Sequence, residues 1–246
     1  MNPIRNQQYA GSQTDTYDEG LRTYMLGVYN YMTAALALTG FVAYLGANVP
    51  AILSLLYKFE PTTGMATPNI LAYIVMFAPL GMVFFLSARL HKLSAQTAKI
   101  VFFLFASLMG LSLTHVFLLY TGESVFSVFL ITSASFGALS LYGYSTKKDL
   151  SAMGSFLIMG VFGILIASIA NIFIGSSGLF WVINVLGVLI FAGLTAYDTQ
   201  AIRRSYYEVA GNAELAARMS IMGALRLYLD FINMFIFLLH FLGERR

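Results

Sequence analysis

Residues 152–174 read AMGSFLIMGVFGILIASIANIFI, a run without a single charged side chain. About 20 apolar residues in an α-helix span the roughly 30 Å of hydrocarbon in a bilayer, so this run predicts a transmembrane helix. A transmembrane β-strand would instead alternate apolar and polar residues over about 10 positions. A helix also satisfies its own backbone hydrogen bonds, which lipid cannot do.

Apolar stretches of similar length lie on both sides of this run, separated by connectors that contain Pro, Gly, Ser and Thr. Together they predict an all-α integral membrane protein, a bundle of seven transmembrane helices that forms a single domain over residues 25–243. The other six stretches cover residues 25–47, 69–88, 98–120, 125–144, 179–201 and 220–242.

The composition excludes a soluble fold, because 59% of the residues are hydrophobic and only 10% are charged. Soluble domains average about 45–50% apolar and about 25% charged residues. The chain has no cysteine, which excludes disulfides and thiolate metal sites. Its net charge of +3 comes from basic residues scattered in short connectors, so we expect a lipid bilayer and not nucleic acid as its partner.

The orientation follows from the basic residues in the connectors. Residues 1–24 form a polar tail without the apolar centre of a signal peptide. Ten Lys and Arg residues lie on the side of this tail, and only Lys58, Arg245 and Arg246 lie opposite. The bias predicts a cytoplasmic N-terminus and an outer C-terminus in the plasma (inner) membrane of a bacterium. Alternatively, Arg245 and Arg246 hold the C-terminus inside, and the last segment re-enters the membrane without crossing it.

Two acidic residues lie inside the predicted spans, Asp198 in the sixth and Asp230 in the seventh. An ionisable group at this depth costs at least about 2.5–3.5 kcal/mol on insertion scales, which points to function. Consecutive antiparallel helices bring both residues to the cytoplasmic half. Neighbouring carboxylates titrate as a unit and offer oxygen ligands to a hard cation. We therefore predict that Asp198 and Asp230 form a pH sensor and gate that contacts Ca²⁺ transiently.

The seventh span carries further polar residues on the same stripe as Asp230, namely Arg226, Asn233 and His240. A polar stripe on an apolar helix must face protein or water, so we expect this helix to lie at the centre of the bundle. One alternative remains open. Arg226 precedes Asp230 by four residues and could simply neutralise it within the helix, while Asp198 reaches the cytoplasmic interface.

Other residues could assist such a gate. The guanidinium of Arg89 or Arg226 could replace the proton that the two carboxylates share, which makes both arginines candidate latches. Asn233 and His115 are candidate lining residues of the pathway. A histidine such as His115, three residues after Ser112 in the third span, is more often a hydrogen-bonded packing residue than a proton relay.

The last two spans resemble the signature segments of the Bax inhibitor family. These segments are GLTAYDTQAI at residues 193–202 and ALRLYLDFINMFIFLLHFLG at residues 224–243. The segments at residues 21–44, 87–94 and 141–157 also resemble bacterial members. The resemblance covers all of the chain except its extreme N-terminus.

This resemblance implies a seven-helix bundle with a central last helix and a calcium leak that responds to pH. It also implies a di-aspartyl sensor, which corresponds to Asp198 and Asp230 in this chain. In addition, it implies an arginine latch near the inner end of the second helix, to which Arg89 corresponds. Carboxylates found in the second span of some relatives have no equivalent, since residues 69–88 contain no acid. For eukaryotic relatives the family also implies suppression of cell death.

The sequence thus predicts a pH-sensitive calcium leak channel that has no catalytic residue and no cofactor, with Ca²⁺ as the transported ion. The first alternative is a non-conducting regulator that binds other membrane proteins, such as a membrane protease. The second is an intramembrane aspartyl protease. In place of the Gly-x-Gly-Asp of such proteases, this chain has Leu227-Tyr228-Leu229-Asp230, and no Pro-Ala-Leu segment follows.

Overall fold

The computed structural model describes residues 3–59, 66–89 and 92–246, and of residues 3–18 and Ser87 it describes the backbone alone. Helices dominate these residues, and a short antiparallel hairpin of two strands joins two of them. In chain order the elements are α1 (Pro3–Asn48), α2 (Pro50–Leu56), β1 (Tyr57–Phe59), β2 (Ala66–Pro68), α3 (Ile70–Arg89), α4 (Ala95–Ser112), α5 (Thr114–Leu119), α6 (Gly122–Ser145), α7 (Ser151–Ile174), α8 (Ser177–Val209) and α9 (Ala213–Leu242).

Polar side chains in the connectors fix where several helices begin. Ser94, Thr121, Ser176 and Asn212 each accept a hydrogen bond from the backbone N–H three residues further on. Such caps satisfy one of the N–H groups that the first turn of a helix leaves free. Helix α7 ends at Gly175, whose φ of 66° is accessible to glycine without strain.

Six helical segments among the described residues are long and apolar enough to cross a membrane. They confirm an all-α membrane protein with several spans. The second predicted stretch forms α3, which contains Pro79, and the shorter segment Ile70–Leu86 is its apolar part. Its crossing, and with it the count of seven, stays a prediction. The six segments are Glu19–Asn48, Ala95–Leu119, Gly122–Ser145, Ser151–Ile174, Ser177–Val209 and Ala213–Leu242.

Several helices extend beyond the apolar stretches. Helix α8 continues past residue 201 to Val209, α9 begins at Ala213 before the predicted start at residue 220, and α1 begins at Pro3 within the predicted tail. A helix satisfies its own backbone in water as well as in lipid, so polar residues can prolong it. The third stretch is interrupted at Leu113, which separates α4 from α5.

Hydrogen bonds place the two ends of α9 at opposite ends of the bundle. At one end, the Ala95 N–H donates to Glu214 Oε1 at 2.8 Å and ties the start of α4 to the start of α9. At the other end, the Arg246 N–H donates to the Leu119 carbonyl at 3.0 Å, just beyond α5. Helix α9 thus runs from one end of the bundle to the other, and the side of the membrane on which it ends stays a prediction.

Helix α9 is the most buried of the six candidate spans. Of its apolar window, 61% is buried inside the protein, against 11–39% for the others. It packs against α1, α4, α6 and α8, and the side chains of Leu227 and Tyr228 are fully enclosed. At the other extreme, α7 presents side chains such as Phe173, which is 85% exposed. Apolar surface of this extent requires lipid.

Helices α6 and α8 touch backbone to backbone at Gly143. A Cβ at this glycine would collide with the carbonyl of Ala196. Small residues permit such close approach between membrane helices, where dispersion contacts replace the hydrophobic effect. The contact holds α8 in place two residues before Asp198.

Candidate functional site

The structure brings Asp198 on α8 and Asp230 on α9 together, with their carboxyl groups close enough to hydrogen-bond. Residue Asp230 is only 4% exposed, and the side chain of Asp198 is 15% exposed. Ionised carboxylates are acceptors only, so a hydrogen bond between two carboxyl groups requires that one of them holds a proton. The contact is therefore the arrangement in which two carboxyl groups can share one proton between two helices. Its role as a sensor stays a prediction.

Arg226 forms its ion pair across the helix interface. Its Nη1 lies 3.9 Å from Oδ1 of Asp198 on α8, and its side chain is half-exposed. The described residues contain no ion pair between Arg226 and Asp230, although the spacing of four residues would allow one. The carboxyl group of Asp230 instead points toward α8. The guanidinium thus serves as the counterion of Asp198.

One oxygen of the pair lacks a donor. Oδ2 of Asp230 is buried and receives no hydrogen bond from the described residues. A buried acceptor without a partner costs about 1–3 kcal/mol, and such atoms are uncommon in stable interiors.

The remaining predicted site residues lie elsewhere. Asn233 donates from Nδ2 to the Leu229 carbonyl at 2.8 Å, within its own helix. Nδ1 of His115 lies 2.8 Å from the Ser112 carbonyl, one turn back along the chain. Arg89 is the last residue of α3 and is exposed, and it has no ion pair or hydrogen bond with a described residue. Their roles as pathway lining and as a latch stay predictions.

A second contact joins the polar stripes of α8 and α9 nearer the end of α9. Nδ1 of His240 donates to Oδ1 of Asn184 at 3.0 Å, and Nδ2 of Asn184 donates to the Phe180 carbonyl. His240 belongs to the polar stripe predicted for the seventh span, and Asn184 is a polar residue within the sixth. The structure shows that the two stripes face each other at this level as well as at the aspartates.

The sequence did not reveal a chain of hydroxyl groups that runs from α1 through α6 to α8. The Tyr29 hydroxyl lies 2.6 Å from Oγ of Ser140, which lies 2.9 Å from Oγ1 of Thr199. Thr199 directly follows Asp198 and donates to the Thr195 carbonyl. The only signal in the sequence is the presence of hydroxyl residues inside apolar stretches.

A third acid, Asp149, lies outside the spans in the connector between α6 and α7. It accepts hydrogen bonds from the backbone N–H and hydroxyl of Ser151 and from Arg204, and these hold its pKa down to about 2 from 3.8. Because folding lowers the pKa of Asp149, its ionised carboxylate stabilises the folded state above pH 3.8. This contribution disappears only as the pH falls toward about 2. Asp149 therefore contributes no pH response near neutrality.

The aspartate pair offers few ligands to a metal ion. Within the described ranges, no group of three or more His, Cys, Asp or Glu side chains could hold one. Ca²⁺ takes about 6–8 oxygen ligands, more than two carboxyl groups supply. A Ca²⁺ ion at Asp198 and Asp230 would retain most of its water, and contact of Ca²⁺ with this pair stays a prediction.

The family resemblance is confirmed by comparison with known proteins. A family model described as Inhibitor of apoptosis-promoting Bax1 matches residues 21–246. The chain is 48% identical over 235 residues to a protein of Rickettsia prowazekii strain Madrid E, across 96% of this chain and 95% of the relative. It is 42% identical over 228 residues to the inner membrane protein YbhL of Escherichia coli K12, across 92% of this chain and 94% of YbhL.

A membrane protein of Streptococcus pyogenes is 34% identical over 229 residues, across 92% of this chain and 95% of the relative. Together with the long apolar helices, the likeness to YbhL supports a multi-pass inner membrane protein. The family match covers every helix from the apolar part of α1 onward, including both aspartates. The chain therefore belongs to the Bax inhibitor family.

Proposed function

We propose that this protein is a passive leak pathway for Ca²⁺, gated by the protonation of Asp198 and Asp230. The observation that carries the proposal is the buried contact between these two carboxyl groups. Gain or loss of a proton there changes the charge between α8 and α9 in a low-dielectric interior, where charge matters most.

The pair can act as a gate because it links two helices. With one proton, the two carboxyl groups attract each other through the hydrogen bond. Without a proton, the negative charges of Asp198 and Asp230 lie in contact and repel each other. With two protons, Asp198 is neutral and no longer attracts Arg226. Each change alters the preferred distance between α8 and α9, so the leak rate follows pH. Arg226, 3.9 Å from Asp198, is the counterion that a shift of α9 would release first.

The proposal includes a topology of seven spans with a cytoplasmic N-terminus and α9 at the centre. Helix α3 has 20 residues and packs beside α4, as a membrane-crossing helix would. The high burial of α9 supports its central position. The ten basic residues on the side of the N-terminus support the orientation.

The topology predicts which connectors react from outside. Because the chain contains no cysteine, a single Lys58→Cys or Lys147→Cys substitution introduces the only thiol. In right-side-out spheroplasts, we expect a membrane-impermeant maleimide to label Lys58→Cys at once and Lys147→Cys only after permeabilisation. Labelling of both variants before permeabilisation would contradict the assigned topology.

The proposal assigns no catalytic step and no resident cofactor to the protein, and Ca²⁺ is the ion that passes. Its partners are the lipid bilayer, Ca²⁺ and protons. An aspartyl protease would also share one proton between two aspartates, so cleavage is the outcome that separates the two functions. Hydrolysis of a model transmembrane substrate that depends on both aspartates would replace the leak with an enzyme.

Reconstitution in liposomes tests the leak directly. Liposomes that contain the protein and a trapped Ca²⁺ indicator should fill with Ca²⁺ faster than protein-free liposomes, at a rate that changes with pH. The double variant Asp198→Asn/Asp230→Asn should lose the pH response. A null flux in wild-type protein that is folded and inserted would contradict the leak. If the same protein then captured membrane proteins in mild detergent, the non-conducting regulator would take its place.

A further inference from the structure

A basic cavity lies where the ends of α6 and α8 meet, outside the aspartate site. It has a volume of about 400 Å³ and seven lining residues, none of them acidic. Three carry a positive charge, Lys147, Arg203 and Arg204, and three offer hydroxyl groups. The complete lining is Ser145, Thr146, Lys147, Gln200, Arg203, Arg204 and Tyr207.

Two of the three cations keep donors available. Lys147 has no hydrogen bond or ion pair with a described residue. Arg203 lies over the ring of Tyr144, 5.4 Å from its centroid, and donates from Nη1 to the Tyr144 carbonyl. A guanidinium has five N–H donors, so most of those of Arg203 stay free. Arg204 is held by Asp149 at 2.8 Å, which positions it and offsets its charge.

The wall of the cavity is held in a defined place. Gln200 donates from Nε2 to the Lys148 carbonyl at 2.8 Å and accepts from the Leu150 N–H at 2.9 Å. These bonds fasten the connector after α6 onto α8, so the backbone at Lys147 is fixed relative to Arg203. Rigid placement lowers the entropy cost of binding a ligand between them.

The cavity borders an exposed apolar surface of α6. The Ser145 hydroxyl donates to the Leu141 carbonyl one turn earlier on α6, and Leu141 is 67% exposed. Tyr207 is itself 54% exposed. The cations therefore lie one turn beyond an exposed apolar surface, an arrangement typical of residues at a membrane interface.

We propose that this cavity binds the phosphate of an anionic phospholipid, with the acyl chains along the apolar surface of α6 near Leu141. Arginine and lysine are the residues that bind phosphate oxygens through charge-assisted hydrogen bonds. Basic residues at a membrane surface attract anionic lipids. A free phosphate would use the cations but not the adjoining apolar surface, so the structure favours the lipid.

Native mass spectrometry of the full-length protein tests this site. The protein is purified in detergent with phosphatidylglycerol and phosphatidylcholine of identical acyl chains. We expect wild-type protein to retain phosphatidylglycerol in several-fold excess, and Lys147→Gln/Arg203→Gln to lose most of that excess. Lys147→Gln alone, which removes no described contact, should lose part of it with an unchanged melting temperature.

The matched control is Lys58→Gln/Arg245→Gln, which removes the same charge from the opposite end of the bundle. This variant should retain phosphatidylglycerol as wild type does. Equal losses in both double variants would show a general charge effect and overturn the site. Equal retention of the two lipids by wild type would also overturn it, as would displacement of phosphatidylglycerol by an equal concentration of inorganic phosphate.

Discussion

Replacement of Asp230 by asparagine is expected to remove the pH response of the leak and to keep the fold. The asparagine amide has the shape of a protonated carboxyl group and can donate to Asp198 permanently. Asp198 then keeps both a hydrogen bond and Arg226 as counterion. The Ca²⁺ leak rate through a gate controlled by one proton changes by up to about tenfold per pH unit. The leak rate of Asp230→Asn should instead vary by less than about twofold between about pH 6 and about pH 8.

Asp198→Asn should also flatten the pH response, but at a greater cost in stability. It leaves Arg226 without its ion partner and leaves the charge of Asp230, which is 4% exposed, buried. Loss of a buried partner leaves an uncompensated charge, so we expect this variant to be about 1–3 kcal/mol less stable than Asp230→Asn. Ca²⁺ flux in liposomes and thermal unfolding in detergent measure the two effects.

Asp149→Asn is the matched control for both aspartate variants. It removes an acid from the same protein, but one whose pKa of about 2 keeps it ionised throughout the tested range. The Asp149→Asn protein should therefore retain the full pH response of wild type. A pH response that survives in both site variants, or that disappears in this control, would contradict the assignment of the gate to Asp198 and Asp230.

Gly143→Ala is expected to cause the largest loss of stability from a single added carbon. The new Cβ would collide with the Ala196 carbonyl, which belongs to the backbone of α8 and cannot rotate away. Helices α6 and α8 must then separate. Overpacking lowers the free energy of unfolding by about 1–3 kcal/mol. A collision with backbone atoms, which cannot move aside, is expected to cause a loss at the upper end of that range. The intrinsic preference of alanine for helices offsets about 1 kcal/mol of it.

Gly137→Ala, on the same helix, provides the control because its added Cβ meets nothing within 4 Å. The control should unfold at or above the wild-type temperature, and Gly143→Ala well below it, in the same detergent. Similar unfolding temperatures for the two variants would mean that α6 and α8 do not depend on this contact. Size-exclusion profiles of both proteins would show whether any loss of stability is accompanied by aggregation.

The pairing of the aspartates could be predicted because few alternatives existed. Asp198 and Asp230 are the only acids inside the apolar stretches, and consecutive helices run antiparallel. The partner of Arg226 could not be predicted in the same way. Its spacing from Asp230 allows a contact within α9, and the choice of Asp198 depends on how α9 is rotated against α8.

The ends of the helices and the hydroxyl chain show two other limits of sequence patterns. Hydropathy marks where lipid ends, but α8 continues to Val209 because a helix does not need lipid to persist. The contacts from Tyr29 through Ser140 to Thr199 join three helices far apart in sequence. Hydroxyl residues are common in membrane spans, so only the packing of α1, α6 and α8 identifies this set.

The high burial of α9 has a consequence for how the protein is made. The ribosome synthesises Ala213–Leu242 after all the other described spans, so those spans enter the membrane before their main packing partner exists. Each is stable in lipid as a separate helix, and lipid tails can fill the vacant place meanwhile. Asp198 therefore meets Asp230 only after α9 has been synthesised, and a chain that still lacks α9 lacks the aspartate pair.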